Sequence, residues 1–428
     1  MTRVQRLLEF AATAIALLAF APGTLAQGPA PSALTLEQAR ALALERNPEL
    51  AALAQEILAT DAAVTQAGVL PNPDVKVGGD ALGNARKRES GEQFVGVELQ
   101  QLVELGGKRG ARVKIAESDR ALAGWDFAAR RADLLQRVSQ SFVDVLAAQQ
   151  RLALAEESTQ LAGRVADAAA KRVQAGKVSP VEETRARVAL AGVEVELEQA
   201  RRELDGARKR LTLLWNDRAS RFSRAEGSLD ELRTLPPYAT LAERIHDNPD
   251  LARWPSALAQ RTAVLEGERA KAIPDVTVSG GVARFTTFND YGYLLGVSVP
   301  IPVFNQNRGG ILEANRRLDK VADEQRAAEA LVLADLAATY ERVAGLMNEI
   351  DTLRTRILPG AQSAYDAANK GYLLGKFSFI DVLDAQRTLF EARRQYLRAL
   401  ADYQGGVSEL ERLVGGPLET ASIRELSK

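Results

Sequence analysis

Two aspartates, Asp381 and Asp384, stand three residues apart just after the reversal Gly375-Lys376-Phe377-Ser378, so a helix starting there carries both carboxylates on one face. On their own they read as a solvated helix face. An earlier reversal, Gly176-Lys177-Val178-Ser179, is followed at the same interval by Glu182 and Arg185, a pair of unlike charge. Turn chemistry explains the glycines of both reversals and leaves the lysines unexplained. Lys108, Arg109, Arg112 and Lys114 crowd the start of a proline-free stretch, where a helix dipole disfavours cations, so they require a compensating anion. A phosphate-binding loop at Gly106-Gly107 is a weak rival, because no other nucleotide motif accompanies it. His246, beside Asp247 and Asp250, is the only histidine, and there is no cysteine. Such a chain cannot hold soft or borderline metals tightly, and neither a metal site nor a cofactor is expected. HExxH, GxSxG and Walker patterns are absent, so the residues offer charge rather than catalysis and no enzyme is expected.

The elements that would position these groups are long helices. Lys108 to Ala175 is 68 residues without a proline. At about 1.5 Å per residue this is a helix of roughly 100 Å, which must pack lengthwise against others. Apolar residues recur at three- and four-residue steps (Leu122, Trp125, Ala128, Ala132, Leu135, Val138, Phe142), with Arg130, Arg131, Asp133 and Arg137 between them, as in a coiled-coil-like bundle. With 55 basic and 56 acidic side chains there is no charge excess to suggest a nucleic-acid partner. Residues 1–26 carry Arg3 and Arg6, an apolar core from Phe10 to Phe20 and Thr24-Leu25-Ala26, the pattern of a secretory signal peptide. No stretch reaches the roughly 20 apolar residues of a membrane helix.

The chain then repeats itself. Arg46-Asn47-Pro48-Glu49-Leu50 returns as Asp247-Asn248-Pro249-Asp250-Leu251, 201 positions on, and Pro73-Asp74-Val75 as Pro274-Asp275-Val276 at the same offset. The reversals at Gly176 and Gly375 lie 199 apart. Motifs in several elements staying in step indicate one duplicated unit. The first repeat, 27–235, is expected to hold strands at about 74–82 and 93–104, joined by a polar loop over 83–92, a long helix over 108–175 and a return helix over 180–215. The second, 236–416, should hold strands at about 276–285 and 291–303, a long helix over 308–374 and a return helix over 378–414; a tail, 417–428, follows. The return helix of 36 residues and the Asn248 to Ala272 helix of 25 predict two short helices laid end to end beside a long one, with the segment between them forming a belt.

The fold class is thus mainly α with a small β part. The strands alternate, with Val95, Val97, Leu99 and Val103 on one side and Gly96, Glu98 and Gln100 on the other. Their length suits a tilted membrane barrel. Four strands cannot close one, since the smallest bacterial barrels have about eight, and an open edge in lipid is prohibitively costly. Three chains sharing a barrel would supply twelve. A soluble sheet capping a helical bundle, and a coiled-coil scaffold without a pore, are the competing readings.

Gly68-Val69-Leu70-Pro71-Asn72-Pro73, Leu105-Gly106-Gly107-Lys108-Arg109, Pro300-Ile301-Pro302-Val303-Phe304-Asn305 and Asp381-Val382-Leu383-Asp384-Ala385-Gln386-Arg387 carry a family resemblance over nearly the whole mature chain. The sequence resembles the TolC-type outer-membrane efflux channels, in the CzcC-like branch that serves heavy-metal resistance-nodulation-division pumps. The resemblance implies a homotrimer with a twelve-stranded barrel in the outer membrane and a twelve-helix tunnel across the periplasm. It implies a periplasmic adaptor and an inner-membrane pump as partners, and heavy-metal cations as cargo; drug efflux or protein secretion through the same kind of duct is the alternative. The N-terminal lipid cysteine frequent in the family is missing, so anchoring would rest on the barrel. Asp381 and Asp384 match aspartates that ring the periplasmic gate, where six carboxylates from three chains would attract cations, with Glu182 and Arg185 making the other half of the ring unlike. Gly176, Lys177, Ser179, Gly375, Lys376 and Ser378 would be the tips that dock the adaptor. Lys108, Arg109 and Arg112 would meet lipid phosphate at the inner rim of the barrel.

Overall fold

The computed structural model describes residues 33–79, 94–220, 222–285 and 289–418. The expected leader (1–26), the strand ends 80–82 and 93, the loop 83–92 and the tail beyond 418 lie outside the described residues. Strand β1 (Ala33–Thr35) leads into helix α1 (Leu36–Arg46), where Thr35 and Gln38 form a reciprocal capping box. Helix α2 (Pro48–Ala67) follows, then strands β2 (Asp74–Gly79) and β3 (Phe94–Val103). Helix α3 (Lys108–Gln174) runs unbroken for 67 residues, and α4 (Pro180–Leu213) returns beside it. After β4 (Arg224–Glu226) come α5 (Tyr238–Arg244), α6 (Pro249–Ala252), α7 (Trp254–Lys271), β5 (Val276–Phe285) and β6 (Asp290–Ser298). Helices α8 (Arg308–Thr352), α9 (Leu358–Leu373) and α10 (Phe379–Leu413) complete the chain.

Several bounds differ from the sequence expectation, each for a local reason. Strand β6 stops at Ser298, not 303, because its partner β5 begins at Val276, one residue before the Thr277 that faces Ser298, and Pro300 and Pro302 have no N–H to give. The expected 248–272 helix is two pieces, since Pro255 cannot donate to the turn before it. The return helices end at Leu213 and Leu413, followed by left-handed Asn216 and Gly415. The long helix of the second half is interrupted: Leu353–Ile357 is a π-helical turn between α8 and α9. Pro359 lies just beyond it, and its missing N–H frees the Thr355 carbonyl.

The end-to-end helices are also partnered differently from expectation. Asn47, at the start of α2, donates from Nδ2 to the Leu214 carbonyl at the end of α4 (2.8 Å) and accepts at Oδ1 from the Leu50 N–H (3.0 Å). Asn248 does the same a repeat later, donating to the Leu413 carbonyl at the end of α10 (3.1 Å) and accepting from the Asp250 N–H (2.9 Å). Each return helix therefore abuts the short helix of its own half, because a buried asparagine staples one end to the other.

Strands β2, β3, β5 and β6 form an antiparallel sheet in that order, while β1 pairs in parallel with β4. In register, Val77 faces Val97, Val97 faces Val282 and Val282 faces Tyr293, so one sheet face is apolar across all four strands. It is uncovered in the single chain: Tyr293 is 88% and Leu295 90% exposed.

The helical body has two hydrophobic clusters. One, around Leu134, Phe142, Leu211, Leu229, Leu336, Leu400 and Tyr403, is enclosed by the belt of β1, β4 and α5. The other, around Ala166, Ala169, Ala186, Tyr365, Tyr372, Phe379 and Leu389, lies towards the reversals and is alanine-rich. Alanine brings helices close but removes less apolar surface from water than leucine, which contributes about 1.5–3 kcal/mol when fully buried. Between the clusters the contacts turn polar, with Arg393 on Glu157 (2.8 Å), Arg394 on Glu196 (3.1 Å) and a cavity of about 400 Å³ lined by Arg151, Ser158, Gln199 and Arg398. The π turn lies at this level, since Gln395 reaches Glu349 before it (2.7 Å) and Arg393 reaches Gln362 after it (3.0 Å). The lowest of the belt's side-chain anchors on α10 is here too: Tyr396 donates to Asp230 (2.9 Å), and burial pushes its hydroxyl pKa up to about 12.

Asn248→Ala should lower unfolding stability by about 1–2 kcal/mol and Asn47→Ala by no more than that, because each removes a cap and strands a carbonyl; denaturant titration checks both. Amides of 353–358 should exchange with deuterium about tenfold faster than those of the unbroken α3 turn at 152–157, as read by mass spectrometry of matched peptides.

Candidate functional site

The two reversals are built alike. Gly176 and Gly375 hold left-handed φ of 65° and 70°. The Lys177 N–H bonds the Arg172 carbonyl (2.9 Å) and the Lys376 N–H bonds the Gly371 carbonyl (2.8 Å), closing the same Schellman turn on α3 and α9. Ser179 and Ser378 then cap α4 and α10 through their hydroxyls. Glycine and serine thus have structural duties, and the Lys177 and Lys376 ammoniums project without an ion-pair partner among the described residues. The surfaces differ: Leu373, Leu374, Phe377 and Ile380 are exposed around the second reversal, against Val181 alone at the first.

Asp381 is committed to the start of α10. Its carboxylate accepts from the Ser378 N–H (2.8 Å) and hydroxyl (2.8 Å), and the hydroxyl bond, then the backbone one, hold it below the usual carboxylate range. Asp384 is exposed and free of ion pairs among the described residues. Glu182 meets a group that the sequence reading missed: it accepts from the hydroxyl of Tyr372 on α9 (3.4 Å). Arg172 of α3 lies over that ring at 4.3 Å and donates to the Tyr372 carbonyl (3.1 Å). Burial raises the Tyr372 pKa, so the hydroxyl stays a donor throughout neutral pH. The structure therefore brings Glu182 to Tyr372 and joins the two helical hairpins; within one chain it does not bring Arg185 to either aspartate. A lone tyrosine one turn before a glycine reversal could have been singled out from sequence, but its partner 190 residues away could not.

At the other end of α3, Lys108 and Arg112 each find an anion within the chain. Lys108 Nζ bonds Asp275 at 2.6 Å, and Arg112 forks onto Glu104. Asp275 also accepts the Leu105 N–H (3.0 Å), fixing where β3 hands over to α3. The recurring Pro-Asp-Val motif was the available signal for Asp275. Arg109 is exposed, with no ion-pair partner among the described residues. His246 sits exposed on the belt, and neighbouring Asp250 is engaged by Arg412 (3.0 Å). Among the described residues no group of three or more histidines or carboxylates is placed to hold a metal, and no helix is long and apolar enough to cross a membrane.

The chain matches the model of the family described as outer membrane efflux protein over residues 39–217 and again over 241–416. It is 38% identical over 382 residues to the cobalt-zinc-cadmium resistance protein CzcC of Cupriavidus metallidurans, covering 89% of this chain and 90% of that one. It is 27% identical to the nickel-cobalt-cadmium resistance protein NccC of Alcaligenes xylosoxydans xylosoxydans, covering 76% and 75%. Among solved structures it resembles CusC, with a TM-score of 0.77 at 18% identity over 89% of this chain and 92% of that one. It also resembles the open outer-membrane channel MtrE of Neisseria gonorrhoeae, with a TM-score of 0.73 at 19% identity over 90% and 89%. The fold is that of an outer-membrane channel trimer, whose twelve strands from three chains span the membrane while the helices stand in the periplasm. This chain belongs to the outer membrane efflux protein family.

Proposed function

We propose that the chain is the outer-membrane duct of a tripartite system exporting heavy-metal cations, working with a periplasmic adaptor and an inner-membrane resistance-nodulation-division pump. The observation that carries this reading is the 38% identity to a cobalt-zinc-cadmium resistance protein over nine-tenths of both chains. The side chains are consistent with passage rather than capture. With no cysteine and a single histidine, cations meet only oxygen and fixed charge, and ions must leave a conduit as readily as they enter.

In this reading the reversals at Gly176, Lys177 and Ser179 and at Gly375, Lys376 and Ser378 dock the adaptor, the second through its apolar side chains. The gate lies just above them. Asp384 supplies free charge, and Asp381 supplies charge while stiffening the first turn of α10. Glu182 answers to Tyr372, and Arg185 is left as the opposing cation. The capping box needs the Asp381 carboxylate ionised. Because its pKa is depressed, the box is fully present above the ordinary carboxylate range and is lost only as pH falls through the lowered value.

Deleting the gene should sensitise the host to at least one of zinc, cadmium, cobalt and nickel; unchanged tolerance to all of them would remove the metal assignment. In planar bilayers Asp384→Asn should weaken cation block and selectivity without altering trimer stability. Asp381→Asn should do the same and also loosen α10, whereas Ser378→Ala should loosen α10 alone. Equal currents from wild type and both aspartate variants would take these residues out of the gate.

A further inference from the structure

The chain contains one complete junction between strand and helix and the two separated halves of another. In the complete one, β3 and β5 lie side by side. At their periplasmic end Asp275 receives Lys108 Nζ at 2.6 Å and the Leu105 N–H at 3.0 Å, with the two side chains only 16% and 23% exposed. Lys108 is the first residue of α3, behind a left-handed cap at Gly107 (φ 77°). The same start is set up 200 residues on: Asn307 is a left-handed cap (φ 52°) and Arg308 is the first residue of α8. The matching acid, 201 residues before Asp275, is Asp74 at the foot of β2.

These halves cannot meet within one chain. Strands β2 and β6 are the two opposite edges of the sheet. Arg308 and Asp74 are both exposed, and among the described residues neither has an ion-pair partner; Arg308 reaches only the Gln306 side chain (3.1 Å). The apolar residues beside them are equally uncovered. Within the chain Val103 faces Val276 and Gln101 faces Val278. Ile301 and Val303 lie past the end of β6 at Ser298, where the Val303 N–H turns back onto the Ile301 carbonyl (2.9 Å). Carried over by the repeat offsets, the β3–β5 register would set Val303 against Val75 and Ile301 against Val77 were this segment drawn out along a neighbouring β2. All four are large, apolar and between 64% and 82% exposed in the single chain.

We propose that Arg308 of one copy pairs with Asp74 of the partner subunit, the Asn305 N–H donating to the same carboxylate, and that Val303 and Ile301 cover Val75 and Val77 beside it. The ring at the base of the barrel then holds six like junctions, three inside chains and three between them. The junction inside the chain is the template for the one between copies, because the duplicated unit meets the same neighbour whether or not the backbone is continuous. Charge and register agree on the occupant: a second copy presents an acid and two valines at the positions where this edge offers an arginine and two aliphatic residues.

This inference rests on the trimeric arrangement, and its test separates the two. The natural chain has no cysteine, so introduced pairs report alone. Asp74→Cys with Arg308→Cys, treated with a short bifunctional maleimide, should give covalent dimers and trimers on a denaturing gel. The control, Lys108→Cys with Asp275→Cys, should link only within the monomer. Separately, Asp74→Lys and Arg308→Glu should each remove most of the detergent-resistant trimer, and the two together should restore most of it. A wild type trimeric by native mass, whose Asp74→Cys/Arg308→Cys variant stays monomeric while the control links, would overturn this contact alone. Single variants as resistant as wild type, or a double variant no better than either single, would do so as well. A monomeric wild type would overturn the trimer and this contact with it.

Discussion

A strand edge cannot be left open in hydrocarbon. Every N–H and C=O along β2 and β6 that faces outward from the sheet must find a partner, because lipid offers none and each orphan group costs several kcal/mol. One chain supplies four strands with two such edges, too few to curl into a closed wall. Oligomeric state, membrane position and the exposure of Tyr293 and Leu295 therefore have one cause. The apolar face that leaves a single chain poorly covered is the face that lipid solvates in the trimer.

Below the sheet, the same duplicated unit is used twice with different helix continuity. In the first half α3 is unbroken beside α4. In the second half a π turn before Pro359 interrupts the long helix. That interruption coincides with the gap between the leucine-rich cluster inside the belt and the alanine-rich cluster near the reversals. Ion pairs, worth little when exposed, bridge the gap in place of packed side chains. The halves also diverge chemically at their tips, where Asp381 and Asp384 in one answer to Glu182 and Arg185 in the other. A trimer of such chains is six-fold in outline and three-fold in chemistry.

The side chains that could coordinate a cation are mostly committed elsewhere or stand alone. Asp381 closes a capping box, Asp250 with Asp133 holds Arg412, Asp275 holds Lys108, and among the described residues His246 belongs to no group of three or more side chains placed to hold a metal. Fixed charge without convergent ligands attracts ions without trapping them, which suits a passage and leaves discrimination to whatever loads it.

Local order was legible in the residues because its causes lie within a turn or two. Asn-Pro starts, glycine reversals, alternating strands and the recurrence at about 200 residues located the hairpins, the reversals and the long helices, and the arithmetic of four strands led to three chains. The π turn had a local cue in Pro359 that helical periodicity overrode. What only the tertiary structure decided are relations between distant positions. These include Asp275 neutralising Lys108 from 167 residues away, Tyr372 reaching Glu182 across two hairpins, and Asn47 stapling α2 to α4 rather than leaving α4 to run into α7. Period and capping depend on neighbours in the chain, whereas these contacts depend on how far one element has slid along another, and no single stretch of sequence carries that register.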